Sequence, residues 1–141
     1  MLWCLEEKPV KCIDTPLLIE LLLGKPSAKR WIREMGSSEG EFGTTEFNMT
    51  ELALEAQGMK GRPDRRLDVL DTLRRELTVL PVDRQAYQTF STLAKRNAGE
   101  RSALPGMLTA ATALAHGSTH LWTDKRRALP RILTPLKVVR Y

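Results

Sequence analysis

The sequence predicts an α/β fold, a three-layer α/β/α sandwich around a mostly parallel sheet. Short apolar or β-branched runs alternate with longer helical stretches, the pattern of strands joined by helical crossovers. Glycine and proline punctuate most of the boundaries between them. Three acids, Asp14, Glu51 and Asp124, each stand where an apolar run stops and a helix begins. In an open parallel sheet such junctions face the crevice where ligands bind.

Residues 1–8 read as an N-terminal extension and residues 9–141 as a single domain. Pro9-Val-Lys-Cys-Ile13 alternates and ends at Asp14, as a short strand does. Pro16 suits the first turn of a helix, where its missing N–H is not needed, and Gly24 stops that helix after Leu23. Residues 26–35 form a second helix with Trp31, Ile32 and Met35 on its apolar side. After a turn from Gly36 to Glu41, the run Phe42 to Phe47 carries the strand formers Thr44, Thr45 and Phe47. Asn48 and Glu51 have the spacing of a capping box, which opens a helix reaching Gln57. A basic loop from Gly58 to Pro63 leads into a helix across 64–75. Leu77 to Val82 is the third strand, and Asp83 caps a helix ending near Asn97 with Ala86, Phe90, Leu93 and Ala94 inside. Residues 105–116 make a small-residue helix ended by Gly117. His120 to Thr123 is the fourth strand, and a short helix precedes the last, Leu136 to Val139.

A chain of 141 residues that is 42% apolar and 28% charged fits one globular domain with a sizeable core. Its longest apolar stretch, Pro16 to Leu23, includes Glu20 and is too short to span a bilayer, so no membrane is expected. No secretory signal pattern opens the chain, and Cys4 and Cys12 form neither a CxxC pair nor a disulfide framework. A cytoplasmic location follows from those features. Phosphate-cradling glycine loops and a GxSxG elbow are absent, and His116 and His120 have no partner at zinc spacing. The formal charge of +5, from 22 basic against 17 acidic residues, favours an anionic partner, RNA or DNA first.

Taken singly, each of the three acids fits a helix cap, where the helix dipole favours negative charge. Taken together, three acids at three strand ends point to one crevice. They would repel there unless a cation held them, and oxygen ligands suit Mg²⁺ or Mn²⁺. Asp64, Asp68, Asp71 and Glu76, interleaved with Arg65, Arg66, Arg74 and Arg75, read instead as a solvated, ion-paired helix face.

Four strings, in order, resemble the motifs of the PIN domain family. Cys12-Ile-Asp14-Thr15 followed by an apolar helix looks like its opening strand and Asp-Thr pair. Asn48-Met-Thr-Glu51-Leu52-Ala53 resembles the second motif, and Leu108 to Ala115 the third, Ala-rich helix. Leu121-Trp-Thr123-Asp124 resembles the last. The likeness spans residues 9–140 and implies a VapC-like, metal-dependent endoribonuclease, the toxin of a toxin–antitoxin pair. It further implies Asp14, Glu51 and Asp124 as catalytic ligands of Mg²⁺ or Mn²⁺, an antitoxin protein as partner, and a homodimer. Family forms with one residue between Thr and acid select Lys125 instead of Asp124. The third acid of the family falls on Gly106, which motivates an alternative: a catalytically degenerate PIN domain that binds RNA or protein without cutting. Lys125, Arg126 and Arg127 beside the last motif are the expected RNA-gripping cluster, with Lys60 and Arg62 as a second choice.

Overall fold

The computed structural model describes residues 10–36, 41–59, 63–97, 100–131 and 135–141. Strands β1 (Val10–Ile13), β2 (Glu41–Thr45), β3 (Thr78–Leu80), β4 (His120–Thr123) and β5 (Lys137–Arg140) form one parallel sheet in the spatial order 3-2-1-4-5. Central β1 sets Cys12 opposite Gly43 of β2 on one side and Leu121 of β4 on the other. Successive side chains leave a strand on opposite faces, so each strand serves two cores. Ile13 and Trp122 face a cluster with Leu17 and Leu18 of α1 (Thr15–Leu22), Trp31 of α2 (Pro26–Gly36), Leu52 of α3 (Glu46–Gln57) and Leu70 of α4 (Pro63–Glu76). Their neighbours Cys12 and Leu121 face Leu93 of α5 (Arg84–Arg96) and Met107, Ala110, Ala111 and Ala113 of α6 (Leu104–Ala115). The result is the expected three-layer sandwich, with the alanine-rich helix buried closely on the sheet. Trp122 lies in the core against Tyr141, their rings stacked with centroids 5.4 Å apart.

Local signals for the helix ends hold. Gly24 and Gly117 take positive φ, 65° and 74°, which glycine adopts without Cβ strain. Each closes its helix in the same way: Lys25 N–H donates to the Glu20 carbonyl and Ser118 N–H to that of Ala113, satisfying carbonyls the helix leaves open. Asp83 caps α5, its Oδ1 accepting from the Ala86 N–H at 3.1 Å.

Three features differ from the expectation. Helix α3 starts at Glu46, and its cap is Thr45, whose hydroxyl accepts from the Asn48 N–H at 3.1 Å. Thr45 and Asn48 are both good caps three residues apart, and burial of Asn48 inside the helix selects the earlier one. Strand β3 stops at Leu80 because Pro81 has no N–H for a ladder. Between β4 and β5 the described residues form turns and coil, not a short helix; residues 132–134 lie outside them. Residues 1–8, Lys60 and Arg62 also lie outside the described residues. No helix among those described is long and apolar enough to cross a membrane.

Leu52 is fully buried between the sheet and the α1–α4 layer. Leu52→Ala is expected to cost about 2–5 kcal/mol, read as a lower urea midpoint at unchanged slope. The Ala86 N–H, and after it the nearby His116, hold the Asp83 carboxyl below its ordinary pKa. An acid whose folded pKa is lowered stabilises fully above its unfolded pKa of ~3.9 and loses that contribution as pH falls through the lowered value. The melting-temperature gap between the parent and Asp83→Ala should therefore shrink as pH falls below about 4.

Candidate functional site

Strand order reverses beside β1, so a crevice opens beyond the carboxyl ends of β1 and β4. Asp14 ends β1 and is fully buried there. The residue caps α1, and its carboxylate is saturated with donors. Oδ1 accepts from the Thr15 N–H at 2.8 Å and from the Asn48 side-chain amide at 3.0 Å, and Oδ2 from the Thr123 hydroxyl at 2.7 Å. Glu51, a turn and a half into α3, comes to the same place: its Oε1 accepts from the Thr15 hydroxyl at 2.7 Å. The two acids that start so far apart in sequence thus share one threonine.

Asn48 is the hub that sequence reasoning assigned only to capping. Its Nδ2 also lies 2.9 Å from both Thr15 Oγ1 and Thr109 Oγ1, and its Oδ1 accepts from the Thr45 hydroxyl at 2.6 Å. One buried amide therefore ties α1, α3 and α6 together at the crevice floor. The available signal was a polar residue on an otherwise buried helix face; Thr109 and Thr15 carry the same mark.

A cation is present at the acid pair, and it belongs to the chain itself. Arg127 Nη2 lies 2.8 Å from Glu51 Oε1 and 3.3 Å from Asp14 Oδ1. Its Nε lies 3.0 Å from Asp14 Oδ2, an ion-pair contact without the alignment of a hydrogen bond. The Arg127 side chain is 18% exposed and that of Glu51 22%. Burial raises the pKa of Asp14, opposed by Arg127 and by the bonds from Thr123 and Thr15, and the net direction is upward. Burial works against the charge of Arg127, but Asp14 and Glu51 outweigh it and hold the guanidinium above its ordinary value.

Asp124 is placed differently. Its Oδ1 accepts from the Arg126 N–H at 2.6 Å, which makes the turn that sends Arg127 back toward β1. Lys125 and Arg126 are exposed, Arg126 with 93% of its side chain in solvent, so only two of the three expected RNA-gripping residues face outward. Gly106 lies in the first turn of α6, and a Cβ there would meet the Ala128 carbonyl oxygen at 2.3 Å and Leu129 Cδ2 at 2.7 Å. Among the described residues no three Asp, Glu, His or Cys side chains come together as a group that could hold a metal.

The residues present do not fit a divalent ion as they stand. Both Asp14 oxygens already accept from neutral and cationic donors, Arg127 lies between the two acids, and the segment after it fills the space over Gly106. What the arrangement does chemically is set one internal guanidinium against two carboxylates, Asp14 fully buried and Glu51 partly exposed.

The PIN domain model matches residues 11–132. No curated protein matches the chain. Among solved structures, VapBC2 from Rickettsia felis bound to a DNA fragment from its promoter is similar at a TM-score of 0.75 and 13% identity, over 94% of this chain and 98% of that one. DNA-bound VapBC from Salmonella typhimurium gives 0.74 and 19%, again over 94% and 98%. VapBC-1 from nontypeable Haemophilus influenzae gives 0.72 and 17%, over 93% and 97%. Likeness at such identities is one of fold, whereas the family model covers most of the sequence. With a 3-2-1-4-5 parallel sheet, Asp14 at the end of its first strand and Glu51 reaching it from α3, this chain belongs to the PIN domain family.

Proposed function

We propose that this chain is the PIN-domain member of a toxin–antitoxin type pair and that it works by binding a protein partner, without metal-dependent cutting of RNA. The observation that carries the reading is the state of the acid site. Two carboxylates meet, Gly106 stands where the sequence resemblance puts a third acid, and the Ala128 carbonyl occupies the space a Cβ there would need. Metal-assisted hydrolysis needs a cation with an open position and a positioned water. A carboxylate pair closed by a guanidinium offers neither.

Support for a protein partner comes from two sides. The solved structures of similar fold include a toxin–antitoxin complex from Klebsiella pneumoniae and a member of the VapBC family of toxin–antitoxin systems from Mycobacterium tuberculosis. Helices α3 and α4 also enclose a cleft of about 220 Å³ lined by Ala53, Ala56, Gln57, Arg66, Leu67 and Leu70. Leu67 at its edge is 61% exposed and Leu54 nearby on α3 is 64% exposed, the composition of a surface that buries an apolar side chain of another protein.

A second reading, the Mg²⁺- or Mn²⁺-dependent endoribonuclease, is favoured by one observation: Asp14 and Glu51 do converge at the strand-end crevice. Under it Asp14, Glu51 and Asp124 are the metal ligands, and exposed Lys125 and Arg126 contact RNA phosphates. The two readings separate in one assay. Incubated with single-stranded RNA and Mn²⁺, the parent should cut no more than Asp14→Asn. Metal-dependent cutting that Asp14→Asn abolishes would establish the nuclease instead.

Restoring the acid by substitution is blocked sterically. Gly106→Ala should lose about 1–3 kcal/mol in denaturant unfolding, because a methyl group must displace backbone rather than the end of a flexible side chain. Gly106→Asp should be no more stable than Gly106→Ala and should gain no cutting. An alanine variant as stable as the parent would contradict the close approach of Ala128.

A further inference from the structure

We propose that Arg127 is the resident cation of the Asp14–Glu51 site, fixed in place by the fold as a substitute for a divalent ion, so that the site takes up no divalent metal while Arg127 holds it. The proposal rests on the non-cutting reading above and adds what occupies the site and what keeps it there.

Two carboxylates in one partly buried place need a counter-charge, since an unpaired buried ion is costly. Arg127 meets that need with the planar fork of its guanidinium, Nη2 turned to Glu51 and Nε to Asp14. A lone arginine on a free loop could leave as easily as it arrives. This one is carried by backbone that is tied down on both sides. Asp124 Oδ1 holds the Arg126 N–H, and the Arg127 N–H donates to the Asp124 carbonyl at 3.2 Å. From β5, Arg140 Nη1 donates to the carbonyls of Asp124, Lys125 and Arg127 at 3.4, 3.3 and 2.8 Å. The Lys125 N–H donates to the Tyr141 carbonyl at 2.8 Å, extending the β4–β5 pairing into the turn. Gly106 completes the fit from the opposite side, because only a residue without Cβ leaves room for the Ala128 carbonyl that follows Arg127. Cation, clamp and glycine form one unit, and each part is explained by the others.

The test uses the full chain, MnCl₂ as the probe, and thermal melting together with calorimetric Mn²⁺ binding as readouts. The parent should show no Mn²⁺ binding and the same melting temperature with Mn²⁺ or with chelator. Arg127→Met should melt roughly 10 °C lower, as expected for a buried pair left without its partner charge. It should also bind Mn²⁺ and regain melting temperature when Mn²⁺ is added. Arg127→Met with Asp14→Asn removes one charge of each sign and leaves only the partly exposed Glu51 charged; it should be more stable than Arg127→Met and lose the Mn²⁺ response. Equal Mn²⁺ binding by the parent and Arg127→Met, or a double variant no more stable than Arg127→Met, would overturn the proposal. If Arg127→Met fails to fold, Arg140→Met carries the test, since it loosens the clamp and leaves acids and Arg127 in place. A gain of Mn²⁺ binding there supports the proposal and no gain overturns it. Mn²⁺ binding by the parent without RNA cutting defeats this inference alone, whereas Mn²⁺-dependent cutting by the parent defeats the non-cutting reading as well.

Discussion

The ion bridge from Arg127 to Asp14 and Glu51 is the interaction on which the active end of this domain depends. Asp14 is fully buried at the centre of the sheet, a position where a carboxylate survives only with compensating charge and hydrogen bonds. It receives both: the Thr123 hydroxyl, the Asn48 amide and the Thr15 N–H donate to it, and the guanidinium supplies the positive charge. A buried network of this kind is stable as a whole and costly in part, because removing one member leaves the others desolvated and unpaired.

The fold is arranged to bring those members to one point. Strands β1 and β4 are neighbours, so Asp14 and Thr123 end side by side. Helix α3 packs on α1, which puts Asn48 and Glu51 within reach of Thr15. Helix α6 reaches the same floor through Thr109, and its alanines allow the close approach that this bond requires. The two apolar clusters thus supply the rigidity, while the polar hub at their common end fixes the relative register of the helices.

Family membership does not by itself fix the chemistry of this site. The chain matches the PIN domain model over residues 11–132, and its parallel sheet brings Asp14 and Glu51 to one crevice. At the acid pair the counter-charge comes from Arg127. A guanidinium carries one positive charge and no open coordination position, so it can offset carboxylate charge but cannot hold a water and lower its pKa as a metal ion does.

Sequence alone determined what is local or periodic. Most of the strand and helix order, the stops at Gly24 and Gly117 and the Asp83 cap were legible, because each depends on residues within a turn or two of one another. Asp14 was legible as a candidate from its place at a strand end; Glu51 was expected where its helix begins but lies a turn and a half inside α3. The start of α3 was not legible: Thr45-x-x-Asn48 and Asn48-x-x-Glu51 are overlapping cap patterns, and only burial of Asn48 among Asp14, Thr15 and Thr109 chooses between them. Nor was the fate of the basic run 125–127. Those three residues look alike as a charge cluster, yet the turn at Asp124 and the clamp from Arg140 send Arg127 inward while Arg126 remains in solvent. Pairing of residues 76 and 113 positions apart is set by how the layers pack, and no local spacing encodes it.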